Sequence, residues 1–367
     1  MTYRLRRSDC NSPGIRRRRA GRGFTYVRPD GQRVTDPDQL DRIRALVIPP
    51  AWTDVWVCLD PRGHIQATGV DARGRRQYRY HDLWRAHRDR EKFDHMLDFG
   101  RAMPQVRQCV WAHLDQPGLG RERVLACATR LLDLGFFRIG TEGYAEENQT
   151  YGLATMQRRH VTIAGDHVTF DYVAKSGQRR AHSVVDPAVV DVLAALKRRR
   201  SGPDDLLVWK DGRRWVDVRS ADINAYIKGC AGREFSAKDF RTWNATVLAA
   251  VALAVSENAA SEHGRKRAVA RAISEVAHYL GNTPAVCRSS YVDPRLIDRF
   301  REGRTILGAL EAVAFDLGTA LPHGRTERAV TGPPFTPVGW GPVEEAVLDL
   351  LDEGPAGQPG QAGQAAA

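Results

Sequence analysis

HVTIAGDHVTFDYVAKSGQRRAHSVV, residues 160–185, is the stretch on which the fold class turns. Its runs HVTI, HVTFDYV and AHSVV are strand-like and are separated by AGD and AKSGQRR, the pattern of a three-stranded β-meander. On both sides the periodicity is helical. Residues 82–100, 121–136 and 186–200 suggest helices, and 240–258 reads as a largely apolar, buried one. Residues 265–280 place Val269, Ala272, Ile273, Val276, Ala277 and Leu280 on one face, with Gly281 where a helix C-cap falls.

Further out, the first ~90 residues are β-rich, on the alternation rule for strands. Strand-like runs at Phe24–Val27, Val55–Leu59, Ile65–Val70 and Gln77–Tyr80 are broken by PDG, DPRG and DARG, and one helix fits Pro37–Leu46. Residues 342–353 form a last helix carrying Val343, Val347, Leu350 and Leu351, and GPAGQPGQAGQAAA, the last 14 residues, reads as disordered low-complexity sequence. The expected architecture is α+β. A β-rich domain (1–88) precedes a mainly helical domain with the meander (89–318), and a C-terminal extension follows (319–367).

The chain has 367 residues, 42% hydrophobic and 27% charged, the range of a globular protein. The longest apolar run, Val247–Val255, has nine residues, well short of the ~20 of a membrane span. MTYRLRRSDC has no apolar stretch behind it and so does not read as a secretory signal. Cys10, Cys58, Cys109, Cys127, Cys230 and Cys287 lie far apart without C-x-x-C, and Cys109 with nearby His113 falls short of a metal site. The expectation is reduced thiols in a cytoplasmic protein.

The formal net charge is +11, almost all of it from arginine, since the chain has only seven lysines. A basic surplus points to a polyanion, most often nucleic acid. Residues 1–34 carry ten Arg against Asp9 and Asp30, and residues 72–90 carry seven Arg against Asp82 and Asp89. For the run Arg16–Arg19 a solvated tail is as good a reading as a phosphate contact. In RGRRQYRYHDLW, by contrast, arginines alternate with aromatics, as suits a phosphate backbone and exposed base edges. An amphipathic strand or helix start is the alternative there. The segment 340–367 reverses sign, with five acids and no base.

The G-x-x-x-x-G-K-[ST] phosphate loop, H-E-x-x-H, zinc spacings and G-x-S-x-G do not occur, and Asp36-Pro37-Asp38 reads as a helix cap rather than a Mg²⁺ site. An enzyme with this inventory that acts on nucleic acid is expected to use neither ATP nor metal. Metal-free phosphodiester cleavage needs a nucleophile, fixed cations on the pentacoordinate phosphate and an acid for the leaving oxygen. Arginine suits the second task, lysine the third, and a tyrosine nucleophile needs positive charge beside it. The kit appears in chain order: Arg138 in FFRIGTEGYAEENQTYG, Lys175 in YVAKSGQRR, Lys238 and Arg241 in FSAKDFRTWNAT, Asn282 and Tyr291 in HYLGNTPAVCRSSYVDP.

Together these residues resemble the type IB DNA topoisomerases in the short form of poxviruses and bacteria. VIPPAW (47–52) and DARGRRQYRY (71–80) extend the resemblance into the N-terminal domain, so that it covers roughly residues 20–310. It implies Tyr291 as the nucleophile that becomes joined to the DNA 3′ end and Arg138 and Arg241 as stabilisers of the transition state. Lys175 is then the general acid for the 5′ hydroxyl, and Lys238 assists through charge. Asn282 falls where many relatives have His, a departure that removes an imidazolium charge but keeps a hydrogen-bond donor. Gln77, Tyr78 and Tyr80 match DNA-contacting positions, with Arg75 and Arg76 beside them, and Tyr144 matches a contact near the cleavage site.

The implied activity is relaxation of supercoiled DNA without ATP, metal or other cofactor, by a nucleoid-associated protein that closes on duplex DNA as a C-shaped, monomeric clamp. Taken singly, each residue has an ordinary alternative: Arg138 as a partly buried ion-pair partner, Lys175 as a solvated loop lysine, Arg241 paired with Asp239, Asn282 as a turn residue, Tyr291 as a half-buried phenol. A tyrosine recombinase shares the Arg–Lys–Arg–Tyr order, but 238–241 reads K-D-F-R where recombinases carry H-x-x-R. A non-catalytic DNA-packaging protein would use only the basic surface. Cleavage-sequence preference and a role for residues 310–367 are not legible.

Overall fold

The computed structural model describes residues 4–135, 137–141, 149–256, 261–316 and 340–352. The chain divides into two compact units, Met1–Asp94 and His95–Ala367. The architecture is α+β.

The first unit is built on an antiparallel sheet of order β2-β1-β3-β4-β5, with β1 Ile15–Ala20, β2 Gly23–Val27, β3 Thr53–Val57, β4 Ile65–Val70 and β5 Arg76–Tyr80. Helix α1 (Pro37–Ala45) begins at Asp36, whose carboxylate accepts from the Gln39 amide at 3.3 Å, so the D-P-D motif is a cap. Ile15, Val34, Ile43, Val55, Val57 and Ala67 form the core. The run Arg16–Arg19 is not a tail. It is most of β1, paired with both β2 and β3, because a buried Ile15 fixes its register and the arginine stems lie along the sheet. The Arg17 guanidinium sits 4.1 Å from the Phe24 ring centroid and donates to the Trp52 carbonyl at 2.5 Å.

Helix α2 (Asp82–Leu114) is longer than the expected 82–100 and runs unbroken through the boundary expected near residue 88. In the second unit α3 (Arg121–Gly135) is almost wholly buried. The meander is present as β6 Val161–Ala164, β7 His167–Ala174 and β8 Gln178–Val185, in the order β6-β7-β8. Tyr172 lies opposite Arg180 in its register. The remaining elements are α4 (Pro187–Arg198), β9 (Val208–Asp211), β10 (Arg214–Asp217), α5 (Ser220–Ala231), α6 (Ala237–Ala254), α7 (Glu262–Leu280), α8 (Pro284–Ser290), α9 (Pro294–Arg301), α10 (Leu307–Asp316) and α11 (Trp340–Asp352). The β9–β10 hairpin, α5 and α8–α10 had no counterpart in the periodicity reading. In α7 the stripe Val269, Ala272, Ile273, Val276, Ala277 and Leu280 is buried throughout, and Gly281 caps the helix in the left-handed region at φ 62°.

One finding corrects the sequence reading of the second unit. Cys109 on α2 and Cys230 on α5 form a disulfide with Cα atoms 5.7 Å apart, not free thiols. Their separation of 121 residues conceals an α2–α5 contact, in which Gln105 also donates to the Cys230 carbonyl at 3.0 Å. The last helix expected at 342–353 is present as α11, and an ion-pair network that the sequence did not show ties it to the core. Val347 and Leu351 are buried, and Glu344 accepts from Arg107 at 2.5 Å and from the Trp243 indole at 2.8 Å. Arg107 also forms a two-pronged pair with Asp133, and Arg130 joins Asp133 to Asp186. The disordered reading of residues 354–367 lies outside the described residues.

Glu344→Ala leaves the Trp243 N–H unpaired and removes one of the two carboxylates on Arg107. It should destabilise the chain by about 2–4 kcal/mol, read as a lower urea midpoint at unchanged slope. Glu344→Gln, which keeps an acceptor, should lose less. A midpoint equal to wild type for the alanine variant would show that α11 is not held through this network.

Candidate active site

The last turn of an α-helix has carbonyls without helical partners and carries the negative end of the helix dipole. At the end of α7 three arginines from three different parts of the chain bond such carbonyls. Arg180 on β8 donates to the carbonyls of His278 at 2.8 Å and of Tyr279. Arg241 on α6 donates to that of Leu280 at 2.9 Å, and Arg138, just after α3, donates to that of Gly281 at 3.0 Å and to the Asn282 side-chain oxygen. Gly281 is required twice over, by its positive φ and because a Cβ there would lie 2.8 Å from Arg180 Nη1.

Each arginine is held by its own element. The backbone of Arg138 is fixed by bonds from the Leu153 and Ala154 amides to the carbonyls of residues 138 and 139. Gly140 and Gly152 approach so closely there that a Cβ on Gly152 would meet Gly140 at 2.5 Å. Arg241 projects from the buried helix α6 and is itself 4% exposed. Asp239, its possible partner from sequence, is engaged elsewhere. Its carboxylate accepts from Ser236 at the start of α6 and pairs with His95 at 3.7 Å.

Tyr291 ends α8, its amide bonded to the Cys287 carbonyl at 2.9 Å and its own carbonyl accepting from Thr246 of α6 at 3.2 Å. The Arg241 guanidinium carbon lies 5.4 Å from the tyrosine ring centroid. Burial would raise the Tyr291 phenol, but Arg241, Arg138 and the Asn282 amide outweigh it and hold it below its ordinary value of 10.0. Burial pushes Arg241 down to about 10, Arg138 and Arg180 add to this, and Tyr291 opposes it. Asn282 Nδ2 is buried and meets no acceptor in hydrogen-bonding geometry among the described residues, although the amide is near enough to favour the phenolate. Such a cluster of fixed cations around an activated phenol can receive an anionic ester and stabilise added negative charge on it.

Of the residues expected from sequence, Arg138, Arg241, Asn282 and Tyr291 therefore come together. Lys238 stands exposed on the first turn of α6, three residues before Arg241. Lys175 stands exposed at the tip of the β7–β8 hairpin, where Ser176 and Gly177 take φ of 69° and 72°. In the first unit, Tyr78 and Tyr80 are 43% and 39% exposed on β5, their rings stacked 6.0 Å apart, so neither is a core residue. Arg76 shares their exposed face, while Arg75 and Gln77 both bond the Asp71 carboxylate. Tyr144 lies outside the described residues.

Arg180 and Thr246 were missed. The available signal for Arg180 was the register of an eight-residue strand after the K-S-G turn, but nothing in the sequence says that α7 ends against it. For a metal, the one candidate group among the described residues is Cys109, His113 and Cys230. Its sulfurs are bonded to each other and His113 Nδ1 lies 2.7 Å from the Tyr226 hydroxyl, so its donors are engaged.

Residues 81–302 match the family model of the eukaryotic DNA topoisomerase I catalytic core, and residues 23–71 that of the bacterial DNA topoisomerase IB N-terminal domain. DNA topoisomerase 1B of Acanthamoeba polyphaga mimivirus is 32% identical over 287 residues, 76% of this chain and 85% of the viral one. DNA topoisomerase I of monkeypox virus is 21% identical over 68% of this chain and 76% of its own. Among solved structures, XerH site-specific recombinase bound to difH overlaps 55% of this chain and 51% of its own at a TM-score of 0.35 and 14% identity, too slight a likeness to weigh. This chain belongs to the type IB DNA topoisomerase family.

Proposed function

We propose that Tyr291 is the nucleophile with which this topoisomerase opens one strand of duplex DNA. Its phenolic oxygen attacks a backbone phosphorus, the bond from phosphorus to the 5′ oxygen breaks, and the 3′ end stays on the enzyme as a phosphotyrosyl ester. Lys175 gives a proton to the departing 5′ oxygen. Arg138 and Arg241 take the non-bridging oxygens, where guanidinium forks match phosphate geometry. Asn282 donates through Nδ2, and Lys238 adds charge. One ester replaces another, so strand rotation and religation need no ATP. A single copy of the chain suffices for the step, and the place of action is DNA in the bacterial nucleoid and cytoplasm. The observation that carries this reading is the meeting of Arg138, Arg241 and Asn282 around a phenol held below its ordinary proton affinity. Arg76, Tyr78 and Tyr80 on the exposed face of β5, with Arg75 and Gln77 beside them, are the proposed groove contacts of the first unit. Tyr144 is the proposed contact near the break.

Purified chain should relax positively and negatively supercoiled plasmid in EDTA without nucleotide, and Tyr291→Phe should abolish both relaxation and the covalent adduct on a denaturing gel. Relaxation by the Phe variant would exclude Tyr291 as the nucleophile. Arg138→Ala or Arg241→Ala should slow single-turnover cleavage by roughly 10²–10³.

The pH dependence follows from the sign of the Tyr291 shift. The phenolate is the reactive form and its pKa lies below 10.0, so cleavage should rise with pH and level off before the range of an ordinary tyrosine. Arg241→Ala removes the main group holding it down, so the residual rate should level off at higher pH. With Asn282 in place, no step should appear near ~6.5, whereas Asn282→His should introduce one. A step there in the wild type would contradict the assignment.

A further inference from the structure

We infer that Arg180 is a positioning residue for leaving-group protonation, tying the hairpin that carries Lys175 to the helix end that gathers Arg138 and Arg241. This rests on the proposed role of Lys175 as the acid. Most of the hairpin tip is exposed, although Ala174 is buried and the Val173 carbonyl accepts from the Tyr151 amide at 2.8 Å. Val173, Lys175, Ser176, Gly177, Gln178 and Arg179 are all exposed. Arg179, the neighbour of Arg180, bonds Asp171 across the hairpin. Among the described residues, the first side chain on β8 beyond the tip that bonds another element is Arg180.

Its guanidinium donates one nitrogen to the His278 carbonyl at 2.8 Å and the other to that of Tyr279, so two points fix it rather than one. Gly281 leaves the room this requires. At about 3.3 Å per residue, Arg180 stands about 10 Å or less along the strand from the hairpin tip. That is a short lever for a loop lysine that has to meet one particular oxygen, and catalytic geometry tolerates about an ångström of error. The same guanidinium is partly desolvated, lies opposite Tyr172 and has no carboxylate partner among the described residues. Its bonds are thus directed at the helix end and not at a counter-ion. An arginine in this place does not touch the phosphate. It sets where Lys175 stands relative to Arg138, Arg241 and Tyr291.

A sulfur leaving group separates this role from a merely structural one. An alkyl thiol has a pKa of about 8.5 and departs without an acid, whereas an alcohol oxygen needs one. A cleavage site is first mapped with the wild-type chain, then made as a duplex with either oxygen or sulfur at the bridging 5′ position. In single-turnover cleavage Arg180→Ala should be slowed at least ~10-fold on the oxygen substrate and should come within ~3-fold of wild type on the sulfur substrate. Arg180→Lys, which can reach one carbonyl but not both, should show a smaller deficit with the same rescue, and it carries the comparison if the alanine variant does not fold. An equal loss on both substrates, or no loss on either, would overturn the inference while leaving Tyr291 as nucleophile. Absence of a covalent adduct from the wild-type chain would instead overturn the proposed function.

Discussion

The end of α7 holds three guanidinium groups without cancelling their charge. A carboxylate in the same place would bond them as firmly but neutralise one of them outright, and the site would then have to break an ion pair to accept a phosphate. Carbonyl oxygens at a helix C-terminus carry only about half an elementary charge between them. They orient Arg138, Arg180 and Arg241, and of these Arg241 and Arg138 bear on the Tyr291 phenol. The helix, for its part, has its last carbonyls satisfied by side chains and by the Gly281 and Asn282 amides. One local arrangement therefore ends a helix, fixes the geometry of a site and sets its electrostatics.

That arrangement is kept against a cost visible elsewhere in the unit. Burial pushes the Arg241 side chain down to about 10, with Arg138 and Arg180 acting in the same direction. Bringing like charges together under burial works against a fold. Helix α6 is buried along nearly its whole length, and the network of Arg107, Arg130, Asp133, Asp186 and Glu344 is the opposite case, cations matched by carboxylates. The two clusters share the strand–helix framework but not their charge balance. The balanced one ties α11 to the core, and the other surrounds the proposed nucleophile.

How much of this could be read from the chain differs by element. The amphipathic stripe of α7 and its Gly281 cap were legible because burial of one helical face leaves a 3.6-residue period, and the meander was legible because its turns are marked by glycine. Arg138, Arg241, Asn282 and Tyr291 were legible only as an ordered set, since each alone has a commonplace alternative. The strand made of Arg16–Arg19 was not legible as a strand, because arginine stems can cover a sheet as apolar side chains do while their composition reads as a solvated tail. The Cys109–Cys230 bond and the hold of Arg180 on α7 were hidden for a shared reason: both depend on which helices meet, and periodicity within an element is silent about contacts across 98 to 121 residues.

In the proposed mechanism Asn282 is a neutral group at the phosphate. Its Oδ1 accepts from Arg138, which fixes the amide so that Nδ2 is the end left without an acceptor. A buried amide donor with no partner costs about 1–3 kcal/mol in the resting protein. A non-bridging phosphate oxygen is an acceptor of the kind it lacks, so bringing one up would recover that cost just where negative charge grows on the phosphorus. An imidazolium would add a full charge and make the same step depend on its own protonation. The amide gives a weaker pull that is the same at every pH, and Arg138, by gripping its other end, makes the direction of that pull a property of the fold.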